Sequence, residues 1–431
     1  MLILHISDIH FRYPFCDRNE DPDGYVRSEL LSHASRQIKD LGDVDAMLVS
    51  GDIAFCGIAP EYEAATKWFE TLATSVGCNK RRIYVVPGNH DVDRNVFATN
   101  PRAKEIAQSI KEAGNNGVRN RILTEQLSRK NDSPNLFSSI EQYNLFAAKY
   151  DCQIFPGRMS WNTALRIDSR TVLQLYGLNS TVVSGVDGED GMGSLFVGAV
   201  QLGFPRTPGA IDLIMAHHPP EWMSDQDQFE MRLYGTPNVV LFGHRHVQAL
   251  RRDQGGSAVF SAGSVNPDRG QAGWEPAYNL IELMSVEEDG QRWVDVMARQ
   301  FRWQSNPNGF VPKIELHTGN PFFVHRISVE GEHESCAQAG SPEGEGGANM
   351  SRNEPLSQGP PEFVEPDVRD IIYRFWELEP RERRQVLEEL GVAQIRQDVP
   401  LETMEYRTAL VSLARANRLR ELEAAIAEKE S

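Results

Sequence analysis

The length, composition and charge of the chain exclude several kinds of protein. Its 431 residues suffice for two or three domains, and contents of 40% hydrophobic and 24% charged residues exclude a fibrous or wholly disordered chain. The net charge of −17 at pH 7 gives no general attraction to nucleic-acid backbones or anionic lipids. This weakens a role in nucleic-acid binding without excluding it, because bound divalent metals can reverse the field locally.

The cysteines and the first residues bear on cellular location. The five cysteines are scattered and never spaced as CxxC, which indicates neither a disulfide framework nor a thiolate zinc site and favours a reducing compartment. The opening MLILHISDIH has no basic segment, and no stretch reaches the roughly 18 apolar residues of a membrane-spanning helix. We therefore expect a cytoplasmic protein with neither an export signal nor a membrane span.

From residue 1 to about 299, short runs rich in Val, Ile and Leu alternate with helical stretches. Each run is bounded by Gly, Pro, Asn or Asp, which is typical of buried strands in a layered α/β domain. The predicted strands are Leu2–Ile6, Ala46–Val49, Ile83–Val86, Val172–Leu178, Leu213–Ala216, Val239–Phe242, Ala258–Ala262 and Tyr278–Leu283.

Between about 94 and 160 the short apolar runs are absent from the sequence, and two helical patterns appear instead. One of them opens at Asn100-Pro101, a suitable N-cap followed by proline in the first turn. An insertion at this point would lie beside whatever Gly88–Asp91 builds. It is therefore either a cap that selects the substrate or a peripheral helical pair that only packs.

Beyond the α/β region the composition changes twice. Residues 329–362 are rich in Gly, Ser, Pro and Glu and predict a flexible linker. Helical periodicity then returns, with Pro380 and Pro400 where helices should begin and Gly391 where one should end, which predicts a small all-α bundle of four to six helices. The predicted units are 1–328, 329–362 and 363–431.

Five short motifs carry metal-ligand side chains directly after an apolar run. Because the ends of strands in an open α/β sheet converge on one crevice, we expect these side chains to meet. Asp, Asn and His are ligands suited to Mn, Fe, Zn or Co. A lone GD or HH pair is more often a turn or a structural polar group, so the prediction depends on the set as a whole. The motifs are SDIH with Asp8 and His10, SGDI with Asp52, PGNHD with Asn89 and His90, MAHHPP with His217, and FGHRH with His244 and His246.

In their order, DxH, GD, GNH, H and GHxH, these motifs resemble the pattern of the calcineurin-like metallophosphoesterase superfamily. The resemblance runs from Asp8 to His246 and implies an α/β fold in the form of a four-layer αββα sandwich with a helical cap insertion. It also implies two divalent metal ions bridged by Asp52. The implied ligands are Asp8, His10, Asp52 and His246 for one ion, and Asp52, Asn89, His217 and His244 for the other.

The resemblance further implies the chemistry of the site. A hydroxide between the two ions would attack phosphorus, and His90 would protonate the departing oxygen as general acid. Asn89 and His90 would also contact the substrate, and Arg94 is a further candidate for that role.

Three more polar residues accompany the motifs. Asp91 and Asn179 either support the metal ligands or are ordinary turn residues. We expect His218 to point away from the site and to be structural, because neighbouring side chains of an extended segment face opposite sides.

Two branches of the superfamily can be compared with the motifs. Protein Ser/Thr phosphatases read GDxxDRG and GNHE, whereas this chain reads GDIAFCG and GNHD and has Phe55 where that branch has the acid that orients its catalytic histidine. The chain is more similar to class III cyclic-nucleotide phosphodiesterases and to repair-type nucleases. We therefore predict a dinuclear phosphodiesterase that acts on a nucleotide-type substrate.

The alternative prediction is a metal-dependent DNA nuclease. It requires that cations of the predicted cap line a groove, since binding to a nucleic-acid backbone needs clustered cations. The other interpretation of these cations is a solvated helix face. They are Arg102, Lys104, Lys111, Arg119, Arg121, Arg129 and Lys130.

The C-terminal bundle resembles the death-like or effector-associated adaptor modules that bacteria fuse to enzymes in signalling and conflict systems. The resemblance implies that residues 363–431 recruit a protein partner, and in the nuclease alternative they would target the enzyme in a defence system. The other interpretation is an appendage for stability or dimerisation. A metal sensor without turnover is disfavoured, because no ligand position is substituted.

Overall fold

The computed structural model describes residues 1–18, 20–205, 207–235, 238–253, 255–267, 275–329, 368–392 and 403–430. Pro400 and all but the first residue of the predicted linker lie outside the described residues. Within the described ranges the chain forms thirteen strands and eleven α-helices. None of these helices is long and apolar enough to cross a membrane.

The strands are β1 (Leu2–Ile6), β2 (Ala46–Val49), β3 (Ile83–Val85), β4 (Ser160–Arg166), β5 (Val172–Leu178), β6 (Ala210–Ala216), β7 (Val239–Phe242), β8 (Ala249–Arg252), β9 (Ala258–Ser261), β10 (Ala277–Glu288), β11 (Gln291–Ser305), β12 (Asn308–Pro312) and β13 (Phe323–Ser328). The helices are α1 (Gly24–Leu41), α2 (Ala59–Ser75), α3 (Val96–Thr99), α4 (Pro101–Lys111), α5 (Asn116–Ser128), α6 (Glu141–Ala148), α7 (Gln226–Tyr234), α8 (Val368–Glu377), α9 (Pro380–Glu389), α10 (Thr403–Arg415) and α11 (Leu419–Glu430). All eight predicted strands form; β6 begins three residues earlier than predicted, β10 ends five residues later, and the other ends differ by at most one residue.

The strands make two sheets. One has the order β12-β11-β10-β1-β2-β3, with β13 also paired to β11, and the other has the order β4-β5-β6-β7-β9-β8. Side chains of both sheets, such as Leu48 and Leu241, belong to one buried apolar core. The predicted α/β fold, with two sheets and helices, is confirmed.

The strand register explains why the five motifs meet. The parallel strands β1 and β2 align Ile6 with Val49, so that the loops after both strands begin at the same level. In the second sheet, the parallel strands β6 and β7 align Ala216 with Phe242. Each motif starts within a few residues of such a strand end, and the carboxyl ends of parallel strands share one edge of a sheet.

The segment predicted as a cap contains helices α3 to α6. Helix α4 begins at Pro101, and the side chain of Asn100 accepts a hydrogen bond from the backbone N–H of Ala103 at 3.1 Å, as its capping role requires. The segment is tied to the α/β region by an ion pair of Lys111 with Asp187 at 3.3 Å. The division of the chain into domains stays a prediction.

The four described helices after residue 367 have a core of their own. Its members come from all four helices and are almost fully buried. Helix α9 begins at Pro380, and Gly391 follows its end with a φ of +65°, a value that favours glycine. A small all-α bundle is therefore confirmed for this part of the chain. The buried members are Ile371, Phe375, Leu378, Val386, Leu387, Tyr406, Ala409, Leu410, Leu413, Leu422, Ala425 and Ile426.

The bundle packs against the outer edge of the first sheet, where β3 is the last strand. The guanidinium of Arg369 donates to the carbonyl oxygens of Arg81 at 3.1 Å and Ile83 at 3.2 Å, and it lies 4.3 Å from the ring centroid of Tyr84. A second contact joins Arg407 to Asp151 at 3.1 Å. The side chain of Arg369 thus satisfies backbone carbonyls at an edge of the sheet, where such groups are otherwise unpaired.

A buried histidine of helix α1 should make stability depend on pH. His33 lies between Tyr278, whose hydroxyl oxygen is 2.5 Å from its Nδ1, and the ring of Phe301. Burial lowers the pKa of His33 from 6.5 to about 4. Between these values the unfolded chain binds the extra proton and the folded chain does not, so stability falls as the pH falls from 6.5 to 4.

We therefore expect His33→Gln to flatten the decline of the melting temperature between pH 6.5 and pH 4. Thermal unfolding followed by circular dichroism across this range measures the slope. The exposed His317, replaced by glutamine in the same way, is the control and should keep the wild-type slope. Equal slopes for the two variants would show that His33 is not the group responsible.

Candidate metal centre

The loops after β1, β2, β3, β6 and β7 bring the motif side chains together. Four groups of three side chains each have ligand atoms within 4.8 Å of one another. The groups share members, so they form one continuous cluster. They are Asp8, His10 and His246; Asp8, Asp52 and His217; His10, Asp52 and His90; and His217, His218 and His244.

Several of these residues have an unusual backbone conformation. A positive φ is uncommon for residues with a Cβ atom, and it is found here at five predicted ligands. Such conformations persist where the surrounding structure imposes them, and they are frequent at functional sites. The five residues, with φ between 52° and 66°, are Asp8, His10, Asp52, His244 and His246.

Two glycines let the loops approach closely. A Cβ atom at Gly51, where φ is +94°, would lie 2.6 Å from Nδ1 of His217. A Cβ atom at Gly88 would lie 2.2 Å from Oδ1 of Asp52. Any larger residue at either position would therefore displace a predicted ligand.

Asp52 lies at the middle of the cluster. Its Oδ2 is 3.3 Å from Nε2 of His10 and 3.2 Å from Nε2 of His217, and its Oδ1 accepts a hydrogen bond from the backbone N–H of His90 at 2.8 Å. Burial alone would raise the pKa of Asp52, but the charges of His217 and His90 hold that pKa well below its ordinary value. The carboxylate is therefore ionised at neutral pH.

The tautomers of two histidines leave lone pairs that face Asp52. Nδ1 of His10 lies 3.1 Å from the carbonyl oxygen of Asn266, and Nδ1 of His217 lies 2.8 Å from that of Ser50. Each Nδ1 donates its proton to the carbonyl, so Nε2 of a neutral ring carries none. Two lone pairs and a carboxylate then face one another and repel unless a cation lies between them.

A proton or a metal ion can supply that cation. Burial lowers the pKa of His217, but the charge of Asp52 outweighs it and raises the pKa to about 9. Among the described residues, imidazoles are the only cationic groups within 4 Å of the Asp8 or Asp52 carboxylate, and no lysine or arginine is that close. A divalent ion would compensate both buried charges.

The distances between donor atoms also suit a metal. Nδ1 of His244 is 3.0 Å from Oδ1 of Asn89, and Nε2 of His246 is 3.1 Å from Oδ1 of Asp8. Two ligand atoms that are each about 2.1 Å from one ion are about 3.0 to 3.4 Å apart at octahedral or tetrahedral angles. The residues present therefore fit the two divalent ions implied by the motifs, and the donor types again suit Mn, Fe, Zn or Co.

The prediction that His218 points away from the site is wrong. Its Nε2 lies 3.1 Å from Oδ1 of Asn89, the same atom that faces His217 and His244, and its Nδ1 lies 2.8 Å from the hydroxyl oxygen of Ser180. Strand β6 ends at Ala216, so the alternation of an extended chain no longer applies two residues later. Burial lowers the pKa of His218 well below 6.5, which keeps its ring neutral at pH 7.

His90 lies at the edge of the cluster and is partly exposed. Its Nδ1 is 2.8 Å from the carbonyl oxygen of Phe55, and its ring stacks on the Phe55 ring at 4.8 Å between centroids. The backbone of Phe55 thus orients His90 although its side chain is not an acid. Burial lowers the pKa of His90.

The two predicted supporting residues differ in what they contact. The carboxylate of Asp91 accepts hydrogen bonds from the backbone N–H groups of Gly88 at 2.9 Å and Ala54 at 2.9 Å and from the hydroxyl of Tyr62 at 2.9 Å. It therefore joins the Asp52 loop to the Asn89 loop. Asn179 instead accepts from Thr181 within its own turn, at 2.7 and 2.8 Å.

A cavity of about 340 Å³ opens beside the cluster. No residue between 94 and 160 is among those that line this cavity, and Arg94 is exposed outside it. A role of Arg94 in substrate binding stays a prediction. The lining residues include His10, Arg12, Asp23, Phe55, His90, Glu189 and His246.

Replacing Gly88 by alanine should disrupt the cluster without changing any ligand. The added methyl group would lie 2.2 Å from Oδ1 and 2.6 Å from the backbone nitrogen of Asp52, so the Asp52 loop must move. A misplacement of about 1 Å can lower activity about a hundredfold, and we expect a loss of that order together with weaker metal binding. Metal content by mass spectrometry and hydrolysis of a phosphate ester measure both effects.

Gly203→Ala is the matched control, because no heavy atom lies within 4 Å of the added Cβ atom at that position. It should bind metal and turn over substrate as the wild type does. Wild-type metal content in Gly88→Ala would contradict the expectation.

Comparison with known proteins gives two family matches. The family model for calcineurin-like phosphoesterases matches residues 1–248. The family model for the GTPase-associated adaptor domain matches residues 367–428, which include all four helices of the bundle except the last two residues of α11. These matches confirm the resemblance of the first part of the chain to calcineurin-like phosphoesterases and of the C-terminal bundle to an adaptor module.

Two curated proteins are similar to parts of the chain. The uncharacterized metallophosphoesterase-like protein YydB of Bacillus subtilis (strain 168) is 30% identical over 96 residues, which make up 22% of this chain and 18% of that protein. The glycerophosphodiester phosphodiesterase GpdQ of Enterobacter lignolyticus (strain SCF1) is 36% identical over 97 residues, or 21% of this chain and 30% of that protein. The matches thus span less than a third of either relative.

Among solved structures, a dimetal phosphatase from Danio rerio is 13% identical and has a TM-score of 0.35, over 77% of this chain and 99% of that one. The calcineurin-like family model covers more than half of the 431 residues, and its range contains every predicted metal ligand. The chain therefore belongs to the calcineurin-like phosphoesterase family.

Proposed function

We propose that the chain is a phosphodiesterase that hydrolyses small nucleotide-type phosphodiesters. The observation that carries the proposal is the arrangement around Asp52, whose Oδ2 is shared by His10 and His217 and whose Oδ1 accepts from the His90 N–H. The Asp52 carboxylate thus contacts one predicted ligand of each metal ion, His10 and His217, and also His90, which lines the cavity.

In this proposal, Asp8, His10, Asp52 and His246 hold one divalent ion, and Asp52, Asn89, His217 and His244 hold the other. When bound, the ions lower the pKa of a bound water and neutralise charge on the phosphate oxygens. His218 contacts the amide oxygen of Asn89, which His217 and His244 also face, and helps to orient the Asn89 side chain. The lowered pKa values of His218 and, to about 4, His244 suit neutral imidazoles at pH 7.

His90 has the role of general acid in the proposal. Its Nδ1 proton is held by the Phe55 carbonyl at 2.8 Å, which fixes the ring and leaves Nε2 to exchange a proton with the departing oxygen. Burial lowers its pKa, so the protonated ring gives up its proton readily. Asn89, one residue earlier, is the second candidate for contact with the substrate.

The cavity and its charges favour a small substrate over a long nucleic acid. Its volume of about 340 Å³ is near the lower end of the range for small-molecule sites, about 300 to 1,000 Å³. Asp23 and Glu189 line it and would repel a polyanion. Two of the cap cations that a nuclease would need, Arg102 and Lys111, are paired with acids at 2.7 and 3.3 Å.

A substrate panel with Mn²⁺ tests the proposal. It compares bis(p-nitrophenyl) phosphate, cyclic mononucleotides, cyclic dinucleotides, p-nitrophenyl phosphate, and single- and double-stranded DNA. We expect small diesters to be hydrolysed fastest, with activity lost on chelation and restored by added Mn²⁺. Preference for DNA would favour the nuclease alternative, and turnover of the monoester alone would contradict a phosphodiesterase.

We also propose that helices α8 to α11 bind a protein partner. The match to an adaptor domain supports this, and so does the separate core that holds the four helices together. Affinity capture with the full-length protein, compared with a variant in which exposed charges of α11 are reversed, tests it. Recovery of the chain alone in both samples would favour the dimerisation interpretation.

A further inference from the structure

Arg12 stands at the end of a row of three stacked groups. Its guanidinium carbon lies 3.6 Å from the ring centroid of Phe55. Phe55 in turn stacks on His90, and all three residues line the cavity beside the metal cluster. A cation above an aromatic ring is attracted by the negative face of that ring, so the guanidinium has a preferred position.

The charge of Arg12 has no acidic partner among the described residues. No carboxylate in the described ranges lies within the 4.0 Å of an ion pair, although the chain has many more acids than bases. Two other arginines near the site are engaged, since Arg245 pairs with Glu221 and Arg27 pairs with Asp21. Arg12 is thus exposed, charged and directed at the cavity that a substrate would enter.

We propose that Arg12 is a specificity-determining residue that binds an oxyanion on the leaving group of the substrate. The inference rests on the proposed function, in which His90 protonates the leaving group. Because Phe55 lies against His90 and Arg12 lies against Phe55, the guanidinium is on the side where the leaving group departs. The preferred substrates are therefore phosphodiesters whose leaving group carries a second phosphate or a carboxylate.

A guanidinium suits this role because its planar fork can donate two parallel hydrogen bonds to a phosphate or a carboxylate. The charges around it limit the substrate to one further anionic group. Asp23 and Glu189 are the acidic residues among the described residues that line the same cavity, and additional negative charges on the substrate would meet repulsion from them.

A purely structural role of Arg12 leads to a different expectation. If the guanidinium only supported Phe55 and through it His90, its removal would slow every substrate by the same factor. If it binds an oxyanion, its removal changes the ratio between an anionic and a neutral substrate. That ratio is therefore the quantity to measure.

The experiment uses two aryl methyl phosphodiesters that differ in one group. One leaving group is para-carboxyphenol, which is anionic, and the other is para-carboxamidophenol, which is neutral and nearly isosteric. We expect the Mn²⁺-loaded wild type to prefer the anionic diester by about tenfold in kcat/KM. Arg12→Ala should bring the ratio to about one, and Arg12→Lys should keep part of the preference.

Two further measurements complete the test. Arg18→Ala removes the same charge from an exposed position of the same loop, outside the cavity, and should keep the wild-type ratio. Calorimetric binding of the two corresponding phosphonates, which cannot be hydrolysed, gives the ratio without turnover. Equal ratios in the wild type and Arg12→Ala, with both diesters hydrolysed, would overturn the inference alone. Failure of the wild type to hydrolyse either diester would overturn the proposed function as well.

Discussion

Asp52→Asn is expected to lower kcat at least about a thousandfold, the largest effect of any single substitution at the site. Asp52 is fully buried, and both of its oxygens are engaged, by His10 and His217 on one side and by the His90 N–H on the other. An asparagine removes the charge that both groups of ligands share. The amide N–H₂ would donate hydrogen bonds to the Nε2 lone pairs of His10 and His217, and an amide nitrogen that carries its protons is not a metal ligand.

Metal stoichiometry separates this effect from unfolding. Mass spectrometry should find two ions in the wild type and at most one in Asp52→Asn after dialysis against Mn²⁺. Asp225→Asn is the matched control, since Asp225 is also fully buried but accepts from the backbone N–H groups of Val197 and Gly198 away from the cluster. Two retained ions and activity within about tenfold of the wild type would contradict a shared ligand.

His90→Ala should make the rate depend steeply on the leaving group. General acid catalysis contributes about 10²–10⁴-fold, and it matters most where the departing oxygen is a poor leaving group. We expect a loss of that size for alkyl phosphodiesters and little change for p-nitrophenyl esters, whose leaving group needs no proton. A series of aryl and alkyl diesters, plotted as log kcat against the leaving-group pKa, measures the slope.

His317→Ala, at an exposed position far along the chain from the motifs, controls for loss of a histidine. It should leave the slope unchanged. A uniform loss across the series in His90→Ala would assign His90 to substrate positioning rather than proton transfer.

The buried parallel strands could be predicted because of their surroundings. Strands such as β2 and β7 are covered on both faces, so their sequences are continuous apolar runs, AMLV and VVLF. Strand β11 was not predicted because its apolar residues form no continuous run: Val294, Val296 and Ala298 are buried, whereas Asp295 and Met297 between them are only half-buried. The edge strand β8 has only four residues (ALRR), and three of them are exposed.

At the site, too, some features could be predicted from the local sequence, whereas others depend on contacts between distant residues. Asp8, Asp52 and His217 follow strand ends, and that position alone indicates that they converge. The place of His218 depends on where β6 ends and on its contact with Ser180, thirty-eight residues earlier. The orientation of His90 by a backbone carbonyl also leaves no trace in the residue type, since any side chain at position 55 would offer the same oxygen.

The contact between the bundle and β3 has a consequence for truncated forms of the protein. A strand at the border of a sheet is a template on which another chain can add, and natural proteins cover or charge such borders. Arg369 covers the carbonyls of Arg81 and Ile83, while Trp161 and Tyr143 donate to that of Val85. A fragment that lacks the helices after residue 367 would leave the carbonyls of Arg81 and Ile83 without the guanidinium of Arg369. The solubility of such a fragment would then depend on whether another group pairs with this edge of the sheet.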